Sequence, residues 1–508
     1  MTEPTLAQSS FTPIDVPGVD WGAIAPLLVL FAGALVILTI SALTSGPAPK
    51  RAYAAFTVAL AVLTGGAGVQ LWDRVGDEGP FTAVAGALSV DRFSAFFVVI
   101  IAIGVLLAAL LCDDYLRREQ LDGPEVYVLM LLSASGGVLM AMANDLIVVF
   151  LGLEILSIAL YVLTGSHLRR VESQEGAIKY FVLGAFSSAF LLYGIALVYG
   201  ATGSTNLTRI SQFLSGNILT EEGLLLAGFA LLIVGFGFKV AAVPFHVWTP
   251  DVYQGAPSPV TAFMASVAKA AGFAGLLRVF SVTFGAYRDD WRPVVLVLAV
   301  LTMIVGSVLA IVQTDVKRML AYSSVNHAGF ILVGVEAATD RGVAAALFYL
   351  LAYTFMVVGS FGVVTLVGRR GDAHHSLDDY RGLSASRPLL ALTFAIFLLA
   401  QAGVPFTSGF LAKFYVVGAA VDAESYGLAI VAMLSAAVSA FLYLRIVVAM
   451  YMTGEPGAAA PGRRIAVPVG AAVSLGLALA FTVVVGLVPS SVIDLARDAV
   501  PTLTSAVP

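Results

Sequence analysis

The sequence predicts an all-α integral membrane protein with about fourteen transmembrane helices, and both its composition and its hydropathy pattern support this. Hydrophobic residues make up 59% of the chain and charged residues 12%, and the mean hydropathy is +0.95. Soluble globular chains carry roughly 25% charged residues, so most of this surface should face lipid. The 508 residues also divide into long apolar runs, and a helix needs about 20 such residues to cross a bilayer.

Fourteen apolar runs follow one another, separated by charged or Gly/Pro-rich breaks. Lipid offers no hydrogen-bond partner to an open backbone, so we expect each run to be helical. The runs fall at about 22–43, 53–72, 89–112, 126–142, 144–164, 176–201, 222–248, 256–285, 293–312, 317–337, 341–368, 387–421, 424–452 and 464–488.

Lys and Arg in the connections predict the orientation. The odd-numbered connections, which include Lys50, Arg463 and Arg464, carry 15 basic residues, and the even-numbered ones with the C-terminal tail carry 7. Because basic connections favour the cytoplasmic side, we expect the odd ones to face the cytoplasm and both termini to face outward. This orientation requires an even number of spans, in agreement with the hydropathy pattern.

A short sequence echo predicts an internal repeat. The segment Ala241–Phe245 (AAVPF) recurs 161 positions later as Ala402–Phe406 (AGVPF). This offset covers five predicted spans, and an odd number of spans inverts the second copy. Each copy places a proline inside an apolar run, which should interrupt helices seven and twelve. Inverted repeats with interrupted helices are typical of transporters, although five apolar residues can also recur by chance.

The echo and the run order together predict four regions, with both interrupted helices inside the repeats. The regions are an N-terminal tail with three helices (1–115), a first repeat of helices four to eight (116–290), a second, inverted repeat of helices nine to thirteen (291–453), and helix fourteen with the C-terminal tail (454–508).

Four ionisable residues inside apolar runs, Glu154, Lys239, Lys269 and Lys413, are the main candidates for chemistry. A charge at mid-membrane costs about 2.5–3.5 kcal/mol on insertion scales, so each needs a partner or a hydrated cavity. Lys239 and Lys413 flank the two proline breaks, where freed backbone is tolerated if it lines a cavity. Desolvation disfavours the protonated amine and a nearby carboxylate favours it, so a Glu/Lys set can pass protons. The alternatives are a structural ion pair for Glu154 and snorkelling for each lysine.

Two histidines and two arginines complete the candidates in apolar runs. His246 and His327 titrate near neutrality and could bridge steps of a proton relay. The alternative for each histidine is a plain hydrogen bond to a neighbouring helix. Arg445 is interpreted as structural, and Arg278 is expected to snorkel near the outer end of span eight.

The sequence lacks the residue patterns that disulfides, metal sites, nucleotide binding and redox cofactors require. The single cysteine, Cys112, excludes an internal disulfide, and the five histidines show no metal-ligand spacing. No nucleotide-binding glycine loop, catalytic triad, haem ligand pair or iron–sulfur ligand set is present. We therefore expect no cofactor or metal in this chain, and the net charge of −5 suggests no nucleic-acid partner.

At these residues the chain resembles the antiporter-like membrane subunits of bacterial NADH–quinone oxidoreductase (respiratory complex I), and subunit N among them. The resemblance covers about Val90 to Tyr451. Lysine at position 413 favours subunit N, because subunit M has Glu there and subunit L is considerably longer. The strongest stretches are Asp145–Leu163, Glu175–Phe190, Pro244–Phe263, Asp315–Phe330 and Gly403–Phe414.

The resemblance implies fourteen helices, two inverted five-helix repeats and a proton relay along the membrane midplane. It assigns the relay to Glu154, Lys239, Lys269 and Lys413. It implies a bacterial inner-membrane location and contacts with K/J-like and M-like membrane subunits. NADH, FMN, iron–sulfur clusters and quinone are then expected in partner subunits.

Three functions are compatible with these features. The first is proton pumping as a non-redox subunit of NADH–quinone oxidoreductase, with Glu154, Lys239, Lys269, His327 and Lys413 as the relay. The second is cation/proton antiport without a redox partner, which would use the same repeat and lysines. The third is a solute carrier, which the shortage of polar groups at mid-depth disfavours.

Overall fold

The computed structural model describes residues 19–44, 51–121, 123–219, 221–452 and 467–501, which are mostly helical. Lys50, Arg463, Arg464 and both chain termini lie outside the described residues. A two-stranded antiparallel hairpin, β1 (Phe81–Ala83) and β2 (Leu88–Val90), precedes the third helix.

The α-helices are numbered in chain order, and two stretches of π-helix lie next to α11. The helices are α1 (Ala25–Leu43), α2 (Ala52–Glu78), α3 (Arg92–Glu119), α4 (Glu125–Met142), α5 (Leu146–Thr164), α6 (Val171–Thr202), α7 (Leu207–Gly216), α8 (Gly223–Val240), α9 (Thr249–Gly255), α10 (Ser258–Phe263), α11 (Lys269–Leu277), α12 (Arg288–Ile311), α13 (Val316–Glu336), α14 (Asp340–Val367), α15 (Leu383–Ser386), α16 (Pro388–Ala402), α17 (Ser408–Asp422), α18 (Tyr426–Met452), α19 (Val469–Leu487) and α20 (Ser490–Asp498). The π-helical stretches are Met264–Ala268 and Arg278–Thr283, and 3₁₀ turns occur at Gly285–Tyr287 and Leu377–Tyr380.

Twelve helical segments of the described residues are long and apolar enough to cross a membrane. Two predicted runs are not among the twelve. Run 317–337 is α13, which carries Lys317, Arg318 and His327, and run 387–421 is divided into α16 and α17, each of 15 residues. The multi-pass helical architecture is confirmed, and the count of fourteen spans stays a prediction.

The first predicted interruption separates α8 from α9. α8 ends at Val240, and Ala241 adopts a left-handed conformation with φ of 63°. The backbone N–H of Val243 then donates to Thr302 Oγ1 on α12 at 2.9 Å. The break before Pro244 is therefore built into the interior, because a side chain of another helix satisfies a backbone group that it frees.

The second interruption separates α16 from α17 around Pro405. α16 ends at Ala402, and Gly403 follows with φ of 94°, a conformation that favours glycine. Thr407 caps α17, with its Oγ1 accepting from the Phe410 N–H at 3.4 Å. α16 therefore ends before Gly403 and α17 begins after Thr407, and the residues between them, including Phe406, are exposed at the surface of the described chain.

Two helical hairpins, α4/α5 and α12/α13, are built alike. The second helix of each begins with an aspartate cap: Asp145 accepts from its helix at 2.8 Å and Asp315 at 2.9 Å. Each aspartate also forms an isolated antiparallel bridge with a residue 61 positions later, Asn206 or Ser376. The same device at the same spacing supports the predicted repeat, whose inverted orientation stays a prediction.

The centre of the bundle consists of α14 and the segment from Ser258 to Thr283, both of which are buried along their apolar windows. α1, α2, α18 and α19 surround this centre and expose large apolar side chains such as Leu63, Ile430 and Val484. Exposed apolar surface on this scale suits lipid or other membrane subunits.

Contacts between charged connections sort them into two ends of the bundle. Arg170 and Asp372, from two odd-numbered connections, pair at 3.2 Å. Arg92 and Asp498, from an even-numbered connection and the C-terminal segment, pair at 3.4 Å. Odd-numbered connections thus contact one another at one end of the bundle, and even-numbered connections contact the C-terminal segment at the other end, as the helix order requires. Which end faces the cytoplasm stays a prediction.

Candidate functional site

Lys239 is held in the interior at the end of α8, with 4% of its surface exposed. Its Nζ donates to Ser157 Oγ on α5 at 2.8 Å and to the Tyr180 hydroxyl on α6 at 3.3 Å. The Tyr180 ring also lies beneath the ammonium, with Nζ 5.7 Å from the ring centroid. These contacts hold the amine between α5 and α6, and snorkelling to the interface does not occur.

Glu154 lies on α5, one turn before Ser157, and is partly exposed. Its Oε1 accepts a hydrogen bond from Ser188 on α6. A narrow cleft between α5, α6 and α8, lined by Ser157, Ser188 and Lys239, runs alongside it and is too narrow for a water molecule. Glu154 therefore reaches this cleft only through Ser188, with serine hydroxyls between it and Lys239 and no direct ion pair between the two among the described residues.

Lys269 is the first residue of α11 and follows the π-helical stretch Met264–Ala268 directly. It is 3% exposed, and its Nζ donates to Ser324 O at 2.5 Å and to Ser324 Oγ at 2.6 Å. The Tyr353 ring lies 5.5 Å from Nζ. Single π-helical turns recur at functional sites, and this one aims the lysine at α13.

His327 lies on α13 and is fully enclosed. Its Nδ1 lies 2.7 Å from the Tyr349 hydroxyl and its Nε2 lies 3.1 Å from the Tyr443 hydroxyl. Its ring centroid is 4.9 Å from that of Tyr353, the residue that also faces Lys269. Both ring nitrogens thus have hydroxyl partners that can donate or accept.

Lys413 lies on α17, 7% exposed, beside the second helix break. Its Nζ donates to Ala402 O, at the end of α16, at 2.9 Å. The Phe330 ring lies 4.9 Å from the same nitrogen. Lys413 was predicted to lie beside the break, and its amine forms a hydrogen bond that crosses the break to the end of α16.

His246 lies in the first break and stands apart from this set. Its ring centroid is 6.4 Å from that of Tyr322, and its Nδ1 has no hydrogen-bond partner among the described residues. The structure brings it next to none of the three lysines through a hydrogen bond, so its place in a relay stays a prediction.

The two arginines of the apolar runs have structural contacts. Arg445 donates to the carbonyl oxygens of Ile311 and Gln313, at 2.7 and 2.9 Å, which closes the end of α12. Arg278 is 3% exposed and makes a two-armed ion pair with Asp91, at 2.9 and 2.8 Å. The expectation that Arg278 snorkels was wrong, because the capping aspartate of α3 neutralises it in the interior.

Sequence reasoning missed a buried ion cluster around Asp372, in the connection after α14. This fully buried carboxylate accepts from Lys317, Arg170 and His375 at 3.2, 3.2 and 3.0 Å, and from Ser258 at 2.9 Å. Burial by itself raises the pKa of Asp372, but the neighbouring Lys317, His375 and Arg170 outweigh it and hold that pKa well below its usual range. The cluster joins connections from both predicted repeats.

Sequence reasoning also missed the hydroxyl partners of the lysines and of His327. The signal was present, because Ser157 lies one turn after Glu154 and Ser324 one turn before His327. What no spacing could show is that Tyr349 and Tyr443, from two other helices, converge on the histidine.

Together these residues form a set of buried amines without counter-charges. Among the described residues, the lysines in ion pairs are Lys179 and Lys317, both at the end of the bundle formed by the odd-numbered connections. A buried amine bonded only to hydroxyls or a carbonyl is costly to keep charged. A change in hydration or in a nearby charge can therefore move its proton. Among the described residues, no group of His, Cys, Asp and Glu could hold a metal ion.

Comparison with known proteins identifies the relatives of this chain. Residues 143–439 match the family of NADH:quinone oxidoreductase/Mrp antiporter transmembrane proteins. NADH-quinone oxidoreductase subunit N of Trichlorobacter lovleyi is 41% identical over 484 residues, covering 95% of this chain and 97% of its own. The protein of the same name from a Parafrankia species is 42% identical, covering 97% of each chain.

Solved structures agree with these relatives. A chain of respiratory complex I from Thermus thermophilus, solved with bound aureothin, is 32% identical and superposes with a TM-score of 0.76 over 93% of this chain and 99% of that chain. A chain of the Mrp complex from a Dietzia species has a TM-score of 0.82 over 96% of this chain and 98% of that chain, at 22% identity. At that identity the likeness shows the fold alone.

Proposed function

Because the chain belongs to the NADH:quinone oxidoreductase/Mrp antiporter family, and within it to NADH-quinone oxidoreductase subunit N, we propose that Lys239, Lys269 and Lys413 move protons across the membrane in this subunit. Electron transfer from NADH to quinone takes place in other subunits of the complex. The free energy of that reaction reaches this chain as changes in charge and hydration around its lysines.

One observation carries the proposal. All three lysines are buried at or next to an irregular helix segment: a break after Lys239, a π-helical stretch before Lys269 and a break before Lys413. None of the three is in an ion pair within the described residues. An irregular segment can change shape and admit water at low cost compared with a continuous helix, so each lysine sits where its hydration can be switched.

The proposed order of transfer follows the fold. A proton from the cytoplasm loads Lys239, passes to Lys269 and His327, and leaves outward by Lys413. Glu154 favours the protonated form of Lys239, because a carboxylate nearby stabilises the ammonium. The three amines then titrate as a coupled set, in which one proton disfavours the next.

The place of the subunit in the complex is also proposed. Glu154 lies on the partly exposed surface of α5 and α6, where a K/J-like membrane subunit would reach it, and an M-like subunit would contact the opposite side. The end of the bundle that contains Arg170 and Asp372 is assigned to the cytoplasm, because it carries most of the Lys and Arg of the connections. Both termini then face the periplasm of a bacterial inner membrane. NADH, FMN, iron–sulfur clusters and quinone are assigned to partner subunits.

Replacement of Lys239 in the assembled complex tests the proposal. Lys239→Ala removes the amine, and Lys239→Arg keeps a charge that cannot be given up. We expect both to abolish most NADH-driven proton uptake into membrane vesicles. Arg209→Ala, an exposed change in the first turn of α7, serves as the control for assembly and should pump normally.

The outcomes separate the possibilities. Full pumping by Lys239→Ala at normal assembly contradicts the relay. Copurification with antiporter subunits alone, and with no NADH-oxidising activity, would indicate a cation/proton antiporter and contradict the redox-coupled function.

A further inference from the structure

A chain of buried side-chain hydrogen bonds runs from His327 toward the second helix break. Beyond the Tyr349 and Tyr443 hydroxyls that flank the histidine, the Tyr443 hydroxyl lies 2.6 Å from Ser323 Oγ. Ser323 Oγ in turn lies 3.3 Å from Gln401 Oε1. Each of the five side chains is at most 2% exposed. They come from α13, α14, α16 and α18, so the chain crosses the second half of the bundle.

The orientation of the Gln401 amide is fixed by its surroundings. Its Nε2 donates to Ser360 Oγ at 2.6 Å and to Phe397 O at 3.4 Å. The reversed amide would set its oxygen against the Phe397 carbonyl oxygen, which repels it. Gln401 Oε1 therefore faces Ser323, and toward Ser323 it can only accept a hydrogen bond.

A count of hydrogens leaves the chain two arrangements. The Ser323 hydroxyl has one hydrogen, so it donates to Gln401 or to Tyr443. When it donates to Gln401, Tyr443 donates to Ser323 and accepts from a His327 hydrogen on Nε2. When it donates to Tyr443, Tyr443 donates to Nε2 and His327 carries its hydrogen on Nδ1. The tautomer of His327 and the direction of the hydroxyls therefore change together.

We propose that Tyr443 and Ser323 carry the proton from His327 toward Lys413, an inference that rests on the proposed function. In one transfer Tyr349 gives its hydroxyl hydrogen to His327 Nδ1, and Nε2 gives its hydrogen to Tyr443. Tyr443 gives its own hydrogen to Ser323, and Ser323 gives its hydrogen through a water molecule in the helix break to the neutral amine of Lys413. Tyr349 regains a hydrogen, through water, from the ammonium of Lys269, which becomes a neutral amine. The hydroxyl and imidazole groups therefore end uncharged, and one proton has moved from Lys269 to Lys413.

The two ends of the chain lie beside the lysines that it would connect. Gln401 directly precedes Ala402, whose carbonyl oxygen holds Lys413 Nζ. At the other end, the Tyr353 ring lies between Lys269 Nζ, at 5.5 Å, and the His327 ring, at 4.9 Å. The chain therefore spans the gap between these two lysine sites.

The transfer reverses the chain and so limits it to one proton at a time. After a transfer, Ser323 points toward Tyr443 and His327 carries its hydrogen on Nδ1. The next proton cannot pass until the hydroxyls rotate back, and the acceptor at Gln401 favours that return. Coupled hydroxyl and imidazole groups of this kind polarise one another and act as a unit.

Removal of single hydroxyls from the assembled complex tests the chain. We expect Tyr443→Phe and Ser323→Ala each to slow NADH-driven proton uptake by about a hundredfold, the low end of the range for a lost proton-transfer group. Ser323→Thr keeps a hydroxyl at the same place and should restore much of the rate. Tyr380→Phe is the matched control, because Tyr380 is also fully buried and its hydroxyl has no hydrogen-bond partner among the described residues.

The results distinguish this inference from the proposed function. Normal pumping by both Tyr443→Phe and Ser323→Ala, with pumping lost in Lys239→Ala, would overturn the hydroxyl chain and leave the lysine relay standing. Normal pumping by Lys239→Ala would overturn the relay itself. If Tyr443→Phe fails to assemble, Ser323→Ala and Ser323→Thr decide alone. A rate that Ser323→Thr restores shows that the alanine variant is slow because it lacks a hydroxyl, and a rate that stays low in both variants contradicts the hydroxyl chain.

Discussion

Lys239 and Lys413 both lie beside a helix break, yet the two breaks hold them in different ways. Lys239 is the last but one residue before its break, and it donates to the Ser157 and Tyr180 hydroxyls of neighbouring helices. Lys413 follows its break and donates back across it to Ala402 O. One lysine is thus held by side chains of other helices, and the other by the end of the interrupted helix itself.

The difference has a chemical consequence. A hydroxyl can turn to accept or donate, so the Lys239 site has partners for both the ammonium and the neutral amine. A carbonyl only accepts, and the carboxyl end of α16 adds the negative end of the helix dipole, so the Lys413 site favours the ammonium. In the proposed relay, Glu154 supplies adjustable charge to the first site, whereas the second site releases its proton by a movement of the break.

The largest expected effect comes from the buried ion cluster that joins connections of both predicted repeats. Asp372→Ala leaves the buried Lys317 and the partly buried Arg170 without their carboxylate, and loss of one partner from a buried ion pair costs about 3–5 kcal/mol. We expect a lower thermal denaturation midpoint of the purified complex and weaker pumping through both lysine sites. Asp378→Ala, which removes only an exposed pair with Arg381, should change neither.

The same cluster predicts a pH dependence. The pKa of Asp372 is held well below its usual range in the folded protein, so its stabilisation is complete above the pKa of an unfolded aspartate, near 3.9. It is lost only as the pH falls through the lower, folded value. The difference in denaturation midpoint between wild type and Asp372→Ala should therefore be equal at about pH 8 and pH 9, an interval above the ordinary titration range of histidine. A difference that shrinks across this interval would mean that another group carries the effect.

The second prediction concerns the charge that only the Lys239 site has. Glu154→Gln keeps the hydrogen bond with Ser188 but removes the carboxylate, so Lys239 loses the group that favours its protonated form. We expect NADH-driven proton uptake to fall about tenfold, as a coupling of about 1.4 kcal/mol would give. Glu78→Gln, at an exposed pair with Arg74, is the control. Equal rates for the two variants would remove the asymmetry between the sites.

The third prediction concerns the break at the other site. Gly403 has φ of 94°, and a Cβ there would lie 3.1 Å from Lys413 Cδ. Gly403→Ala should therefore cost about 1 kcal/mol and slow proton uptake roughly fivefold, by strain and by contact with the lysine. At the first break the left-handed residue is already an alanine, Ala241, so Ala241→Gly should relieve strain and leave the rate unchanged. A slower Ala241→Gly variant would show that the first break, like the second, needs the backbone conformation that its present residue holds.

The sequence predicted the parts of this comparison unequally. Composition and hydropathy were enough for a multi-pass helical protein, because lipid leaves a backbone few choices. Pro244 and Pro405 located both interruptions, since a proline in a helix always removes a donor. The partners could not be predicted, because Tyr443 reaches His327 only through packing of distant helices. For the same reason no local pattern pointed to the pair of Arg278 with Asp91 or to the π-helical stretch before Lys269.

The smallest expected effect separates the two partners of Lys239. Tyr180→Phe removes a long hydrogen bond of 3.3 Å but keeps the ring under the ammonium and its stacking on Trp248, with centroids 4.5 Å apart. Most of the cation–π attraction survives in phenylalanine, so proton uptake should fall by about twofold at most, or roughly 0.4 kcal/mol. Ser157→Ala removes the shorter bond with no ring to compensate and should slow uptake more. If Tyr180→Phe is the slower of the two, the tyrosine hydroxyl passes the proton itself, and the Lys239 site then resembles the hydroxyl chain at His327 more closely than its contacts suggest.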